Sequence, residues 1–119
     1  MPAPAPFQVS TLAWHEPPGH TDSFSQYLVG LEEDGAGVDV RMSRCRPGGS
    51  VAAHLHEEAD QIYVFLSGSG QITSNGVEHD VKGDMCIHVP RGIEHSIRGT
   101  GSEDLVFIVV TWPSGTLPR

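Results

Sequence analysis

Short runs rich in Val, Ile, Tyr and Phe recur along this chain roughly every eight to twelve residues, separated by Gly, Pro, Asn and Asp, and no stretch carries a long helical period. That rhythm admits few folds. Strands are expected near 26–32, 38–46, 51–56, 61–67, 70–74, 77–81, 85–89, 95–98 and 104–112. Asn75-Gly76, between two of them, is a hairpin signal, because both residues tolerate positive φ. The segment 14–21, with Pro17, Pro18 and Gly19, is expected to be a loop across one barrel mouth. Many short strands with Gly/Pro turns and no helices imply an all-β sandwich or small barrel.

Two of the expected strands are apolar on both faces. Gln61, Tyr63 and Phe65 share one face, and Ile62, Val64 and Leu66 take the other; Leu105, Phe107 and Val109 oppose Val106, Ile108 and Val110. One face of each should line the interior. The other needs a cover, either a second sheet or a second copy of the chain, so a homodimer is expected.

At 119 residues the chain is one domain. Residues 1–6 alternate Pro with small residues and read as a flexible tail, leaving 7–119 for the domain. Fifteen acidic against 7 basic residues give a net charge of −8, which opposes nucleic-acid and anionic-membrane binding. The longest strongly apolar run, Leu105 to Val110, is far too short to cross a bilayer as a helix. The N-terminus has no basic segment followed by an apolar one, so a cytoplasmic location is expected. Cys45 and Cys86 form no metal-binding or redox pair and are expected to be buried small hydrophobes.

His54 and His56 sit at i and i+2, so an extended backbone aims both imidazoles the same way. Pro47-Gly48-Gly49 precedes them and Gln61 follows. Downstream, Gly83-Asp84 opens a strand ending at Pro90-Arg91-Gly92, with His95 three residues later. A Pro-x-Gly corner fixes position, since Pro sets φ and Gly supplies a conformation other residues avoid. Imidazole and amide donors brought to one point suit borderline divalent metals.

On these residues the chain resembles a small single-domain cupin. The first cupin motif is matched by Gly48, His54, His56, position 61 and Gly68, and the second by Gly83, Pro90, Gly92 and His95. The resemblance implies a cupin-type jelly-roll β-barrel. It also implies a metal site of His54, His56, Gln61 and His95 holding a divalent transition metal, one of Fe, Mn, Ni, Cu, Co or Zn. Three departures stand out. Gln61 replaces the usual Glu, Gly99 stands where Asn is frequent, and the interval from Gly83 to Pro90 is one residue longer than the consensus, which suggests a bulge. Asp60, with the opposite strand parity to Gln61, and Glu57 and Glu58, in the preceding loop, are the alternative ligands.

A set of three His and one Gln adds no negative charge to the metal. The ion would keep its full +2, acidifying bound water and holding anionic oxygen more tightly. Tyr63 and Phe65 share the parity of Gln61 and are candidates to face the cavity. Tyr63 and His88 are the candidate catalytic residues, with the suspected bulge bearing on where His88 faces. His79 is expected to be exposed, and His15 and His20 to sit in a loop that can act as a lid. Arg41, Arg44 or Arg46 can turn inward to meet a substrate carboxylate. The resemblance implies an enzyme on a small-molecule substrate, an oxygenase or dioxygenase of an enolate, β-diketone or phenol. The alternatives are a non-redox isomerase, lyase, decarboxylase or polyketide cyclase using the metal as Lewis acid, or a small-ligand-binding cupin without turnover.

Overall fold

The computed structural model describes residues 3–117. A short 3-10 turn, Val9–Thr11, precedes the first strand. The strands are β1 His20–Val29, β2 Asp39–His54, β3 Asp60–Ser67, β4 Ser69–Ser74, β5 Val77–Lys82, β6 Met85–Val89, β7 His95–Gly99 and β8 Leu105–Trp112, with one helical turn, α1 Leu31–Asp34, between β1 and β2. No helix among the described residues is long and apolar enough to cross a membrane. Residues 3–6 of the expected tail carry neither helix nor strand; Met1 and Pro2, and Pro118 and Arg119 at the far end, lie outside the described residues.

All pairings are antiparallel, in the order β5-β4-β7-β2-β8-β3-β6, with β1 on β2. β2 organises the barrel. β1 follows its length from His20↔Val51 to Val29↔Val40. Its pairing with β8 occupies Asp39 to Cys45, and its pairing with β7 runs from Pro47 to His54. The ladder shifts register between Pro47 and Ser50, so β2 bends and passes from one wall (β8, β3, β6) to the other (β7, β4, β5). The result is a nearly closed jelly-roll β-barrel.

Side-chain alternation fills it. Phe65, Phe107, Ile72, Leu105 and Cys45 are fully buried, and Val51, Tyr63, Val81, Val89, Ile97 and Val109 complete one core. Gly48 holds φ +80°, which permits the bend of β2. Gly68 holds φ +79° with its Cα against the Asp104 carbonyl, so a side chain there meets both strain and backbone.

Several expectations are corrected. The two strands expected over 38–46 and 51–56 are a single β2, because the Pro-Gly-Gly segment bends the ladder without ending it. The first strand lies earlier than 26–32: it starts at His20, and Leu31–Asp34 forms a helical turn closed by Gly35 at φ 67°. The extra residue before Pro90 makes no bulge in β6, whose pairing with β3 is continuous from Gln61↔Val89 to Phe65↔Met85. It is taken up in the turn, where Asp84 adopts φ 73° and its N–H donates to Phe65 O at 2.9 Å. Cys45 is buried as expected but Cys86 is exposed on β6. Among the described residues no second sheet covers the outer apolar face: Ile62 is 40% exposed and Leu66 46%.

Candidate metal centre

His54 ends β2 and stands directly across the ladder from His95, which begins β7. His56 lies two residues past the end of β2. Ligating nitrogens of the three histidines fall within 4.8 Å of one another. Ring centroids are 4.3 Å apart for His54 and His95, and 4.9 Å for His54 and His56. The strand pairing that the Pro90-Arg91-Gly92 corner permits is what joins the distant His95 to the His54 pair.

Backbone carbonyls orient two of the rings. His54 Nδ1 lies 2.8 Å from Ala52 O and His95 Nδ1 2.9 Å from Ile93 O. With Nδ1–H donating to these carbonyls, Nε2 carries the lone pair. His56 Nε2 is buried and has no hydrogen-bond partner.

Gln61 completes the cluster. It is 3% exposed, and its amide is fixed from both ends: Nε2 donates to Thr111 Oγ1 at 3.0 Å and Oε1 accepts from the Tyr63 hydroxyl at 2.9 Å. The same Oε1 lies 2.8 Å from His95 Nε2. A neutral His95 has one N–H and two oxygens against its two nitrogens, so one contact places acceptor against acceptor. A cation shared by Nε2 and Oε1 satisfies both. The unpartnered His56 nitrogen calls for the same thing, so the donors present fit a divalent transition metal, with His54, His56, His95 and Gln61 as the residues that would hold it.

Burial favours the neutral, metal-binding form of His56 and His95. His56 is pushed down to about 4, first by burial and then by the neighbouring His54 and His95 and by Arg41. Burial also lowers His95, against the opposing pull of the Ile93 carbonyl. The Tyr63 phenol is raised by burial, so it is a hydrogen-bond donor and no base.

The cluster opens on a cavity of about 210 Å³. Tyr63, Val51, Ile97, Phe107 and Val109 supply aromatic and aliphatic wall, and Pro17, Pro18, Gly19 and His20 close one side. This is the expected mouth-crossing loop, held to the barrel by Ala52 N–H donating to Gly19 O at 2.8 Å. His20 lies within β1, opposite Val51, and lines the cavity. Its Nδ1 is 3.0 Å from Pro18 O, which assigns the N–H there and leaves Nε2 as the acceptor, and burial lowers its pKa.

His88 is not brought to this cavity. It pairs with Ile62 in the ladder and faces outward, 3.1 Å from Asp60 Oδ2, while Arg91 Nε holds Asp60 Oδ1 at 2.8 Å. Asp60 therefore points away from the histidines. Arg44 and Arg46 alternate outward, Arg44 stacking over Trp14, while Arg41 has the opposite parity and lines the cavity. His15 stacks on Tyr27, and His79 is exposed as expected. Sequence parity alone distinguishes Arg41 from its neighbours, since it shares a face with Cys45, a core residue; His20 has no comparable local signal, because its place depends on how the Pro17-Pro18-Gly19 turn folds over the barrel.

Residues 41–111 match the model of the cupin domain. The chain belongs to the cupin family. Over 65 residues this cupin is 43% identical to the oxalate-binding protein of Thermotoga maritima, covering 54% of the chain and 53% of that protein, so it spans about half the length of this relative. Among solved structures, a predicted oxalate decarboxylase from Thermotoga maritima superposes with TM-score 0.81 at 26% identity, over 89% of this cupin and 96% of that chain. The polyketide cyclase RemF from Streptomyces resistomycificus shares the fold, with TM-score 0.83 at 19% identity over 98% and 84% of the two chains.

Proposed function

We propose that this cupin is a metal-dependent enzyme that moves a proton on a small organic acid, a non-redox reaction of the isomerase, lyase or decarboxylase kind. The observation that carries the reading is His20, a neutral imidazole in the same cavity wall as His54 and His56. His54, His56, His95 and Gln61 would hold a divalent metal, which when bound would supply Lewis-acid polarisation of a substrate oxygen. The protein does the rest. His20 Nε2 would take a proton from the carbon beside the substrate carbonyl, the C–H electron pair forming a C=C bond as the carbonyl π pair moves onto oxygen. The pairs then shift back as the imidazolium returns a proton to that carbon, exchanging it with solvent. Tyr63 and Thr111 hold the Gln61 amide in one orientation. The apolar walls exclude water, which strengthens each polar interaction inside.

The neutral donor set supports this reading, because the protein contributes no anion to offset the metal's charge. The oxalate-binding relative supports a small acid as the ligand. Oxygenase chemistry on an enolate, β-diketone or phenol is the second reading; it draws on the same neutral set, which keeps a redox metal in its lower oxidation state until an anion binds. The exposed Ile62, Leu66 and Trp112 on the outer face leave the homodimer as part of this proposal, to be checked by sedimentation velocity.

The test loads the protein in turn with Mn, Fe, Ni, Cu, Co and Zn and follows deuterium entry from D2O into a panel of 2-oxo acids by NMR, with oxygen uptake recorded in parallel. Deuterium entry that is lost in His20→Ala without loss of metal is the expected result. Oxygen consumption without deuterium entry overturns it in favour of the oxygenase.

A further inference from the structure

Two hydroxyls face each other in the cavity wall, on the limb of β2 that pairs with β8. Ser25 on β1 stands directly opposite Ser43 on β2 in the ladder, and both line the cavity. Ser25 is 2% exposed and Ser43 4%. The backbone of Ser25 is turned to His15 on its other edge: its N–H donates to His15 O at 2.7 Å, and His15 N–H donates to Ser25 O at 2.9 Å. Ser25 and Ser43 therefore form a non-hydrogen-bonded antiparallel pair, the kind whose side chains approach most closely, and their Oγ atoms are 3.0 Å apart.

Two hydroxyls carry two O–H hydrogens, and the bond between them consumes one. Among the described residues neither serine side chain has a further hydrogen-bond partner, so one O–H of the pair is left over. The Tyr63 hydroxyl and the Gln61 amide, which line the same cavity, already donate to Gln61 Oε1 and Thr111 Oγ1. Phe107 is the partner of Ser43 on β8, and Val51, Ile97 and Val109 add aliphatic wall. The fold does not call for hydroxyls here, because two apolar residues of similar shape in place of a buried polar pair are close to neutral in stability. A ligand hydroxyl gives the pair a use: it accepts the spare O–H and returns its own hydrogen to a serine lone pair, satisfying all three groups. A carboxylate can only accept.

We propose that Ser25 and Ser43 form a hydroxyl-recognition subsite, which makes the cavity selective for 2-oxo acids carrying an uncharged hydroxyl further along the carbon chain. The assignment deepens the metal-centred reading above and rests on it: the oxo-acid end goes toward His54, His56, His95 and Gln61, and the hydroxyl goes to the serine pair. Ser43 and His54 sit on the two limbs of β2, on either side of Pro47-Gly48-Gly49, so one strand addresses both ends of the ligand. The subsite adds two specificity residues and narrows the ligand class from small organic acids to hydroxylated ones.

The experiment uses the Mn-loaded protein, with metal content measured first, and compares 2-oxovalerate with each enantiomer of 4-hydroxy-2-oxovalerate, which differs only by the hydroxyl. Calorimetry should give the better enantiomer an advantage of about fivefold or more. In Ser25→Ala/Ser43→Ala, which removes both hydroxyls and leaves neither orphaned, that advantage should fall to about twofold or less, with metal content at the wild-type level. The melting temperature of the metal-free double variant is the second readout. A pair with a structural role alone would lower it and leave the preference intact, and that result overturns the subsite. Equal affinities for the hydroxylated and plain acids in the metal-loaded wild type also overturn the subsite, while the metal-centred reading stands. Failure to take up metal, or uptake without binding of any of these acids, overturns that reading and this assignment with it.

Discussion

Gln61 Oε1 lies 2.8 Å from His95 Nε2 while accepting the Tyr63 hydroxyl at 2.9 Å, so one amide oxygen joins the histidine cluster to the aromatic wall. Replacing this amide with a carboxylate adds one negative charge against the metal. Gln61→Glu should therefore tighten divalent-metal binding by about tenfold or more. Chelator competition reads the affinity directly. An unchanged value removes Gln61 from the donor set.

Tyr63→Phe deletes a buried donor and keeps the ring. The loss should be about 1 kcal/mol of stability. The Gln61 amide is then held by Thr111 alone, so turnover should fall while metal content stays at the wild-type level. Denaturant titration and metal analysis of the same preparation separate these effects.

The metal-free protein should lose stability as pH falls from 6.5 toward 4. In the unfolded chain His56 titrates near 6.5, whereas in the fold it does so at about 4. Between these values the unfolded state binds more protons, so acid favours unfolding across that window, and the effect of this residue levels off below it. Melting temperature against pH, run with chelator present, checks the sign. The slope over that window should shrink in His56→Gln.

Two histidines should answer differently to removal. His88→Ala breaks an outward contact with Asp60, which Arg91 continues to hold, and should leave metal content and turnover near wild type. His20→Ala should keep the metal and lose turnover by about a hundredfold or more. Equal losses in both would remove His20 from the chemistry.

Period-two patterning exposed much of this molecule in advance. The inward set Gln61, Tyr63 and Phe65 and its partner set on β8 follow from strand alternation. The meeting of His54 and His56 with His95 was legible from the motif spacing, although β2 ends at His54 and His56 lies beyond the strand expected to carry it. Features that depend on three-dimensional closure were not legible. Whether Pro47-Gly48-Gly49 ends a strand or bends one is decided by the partners on both edges of β2, and local composition does not contain them. An extra residue before Pro90 can enter a strand or a turn at similar local cost. The tight β3–β6 ladder makes the turn cheaper, and that choice sends His88 outward. His20 became a cavity residue only when the loop before it folded across the barrel.

The bend in β2 has a consequence for what this cavity can accommodate. Arg41 and His54 belong to one uninterrupted strand, gripped by β1 along one edge and by β8 and then β7 along the other. The separation between their backbones is therefore set by strand geometry. β2 is a ruler with a fixed corner: moving the backbone of either position relative to the other would require re-registering three strand pairings at once.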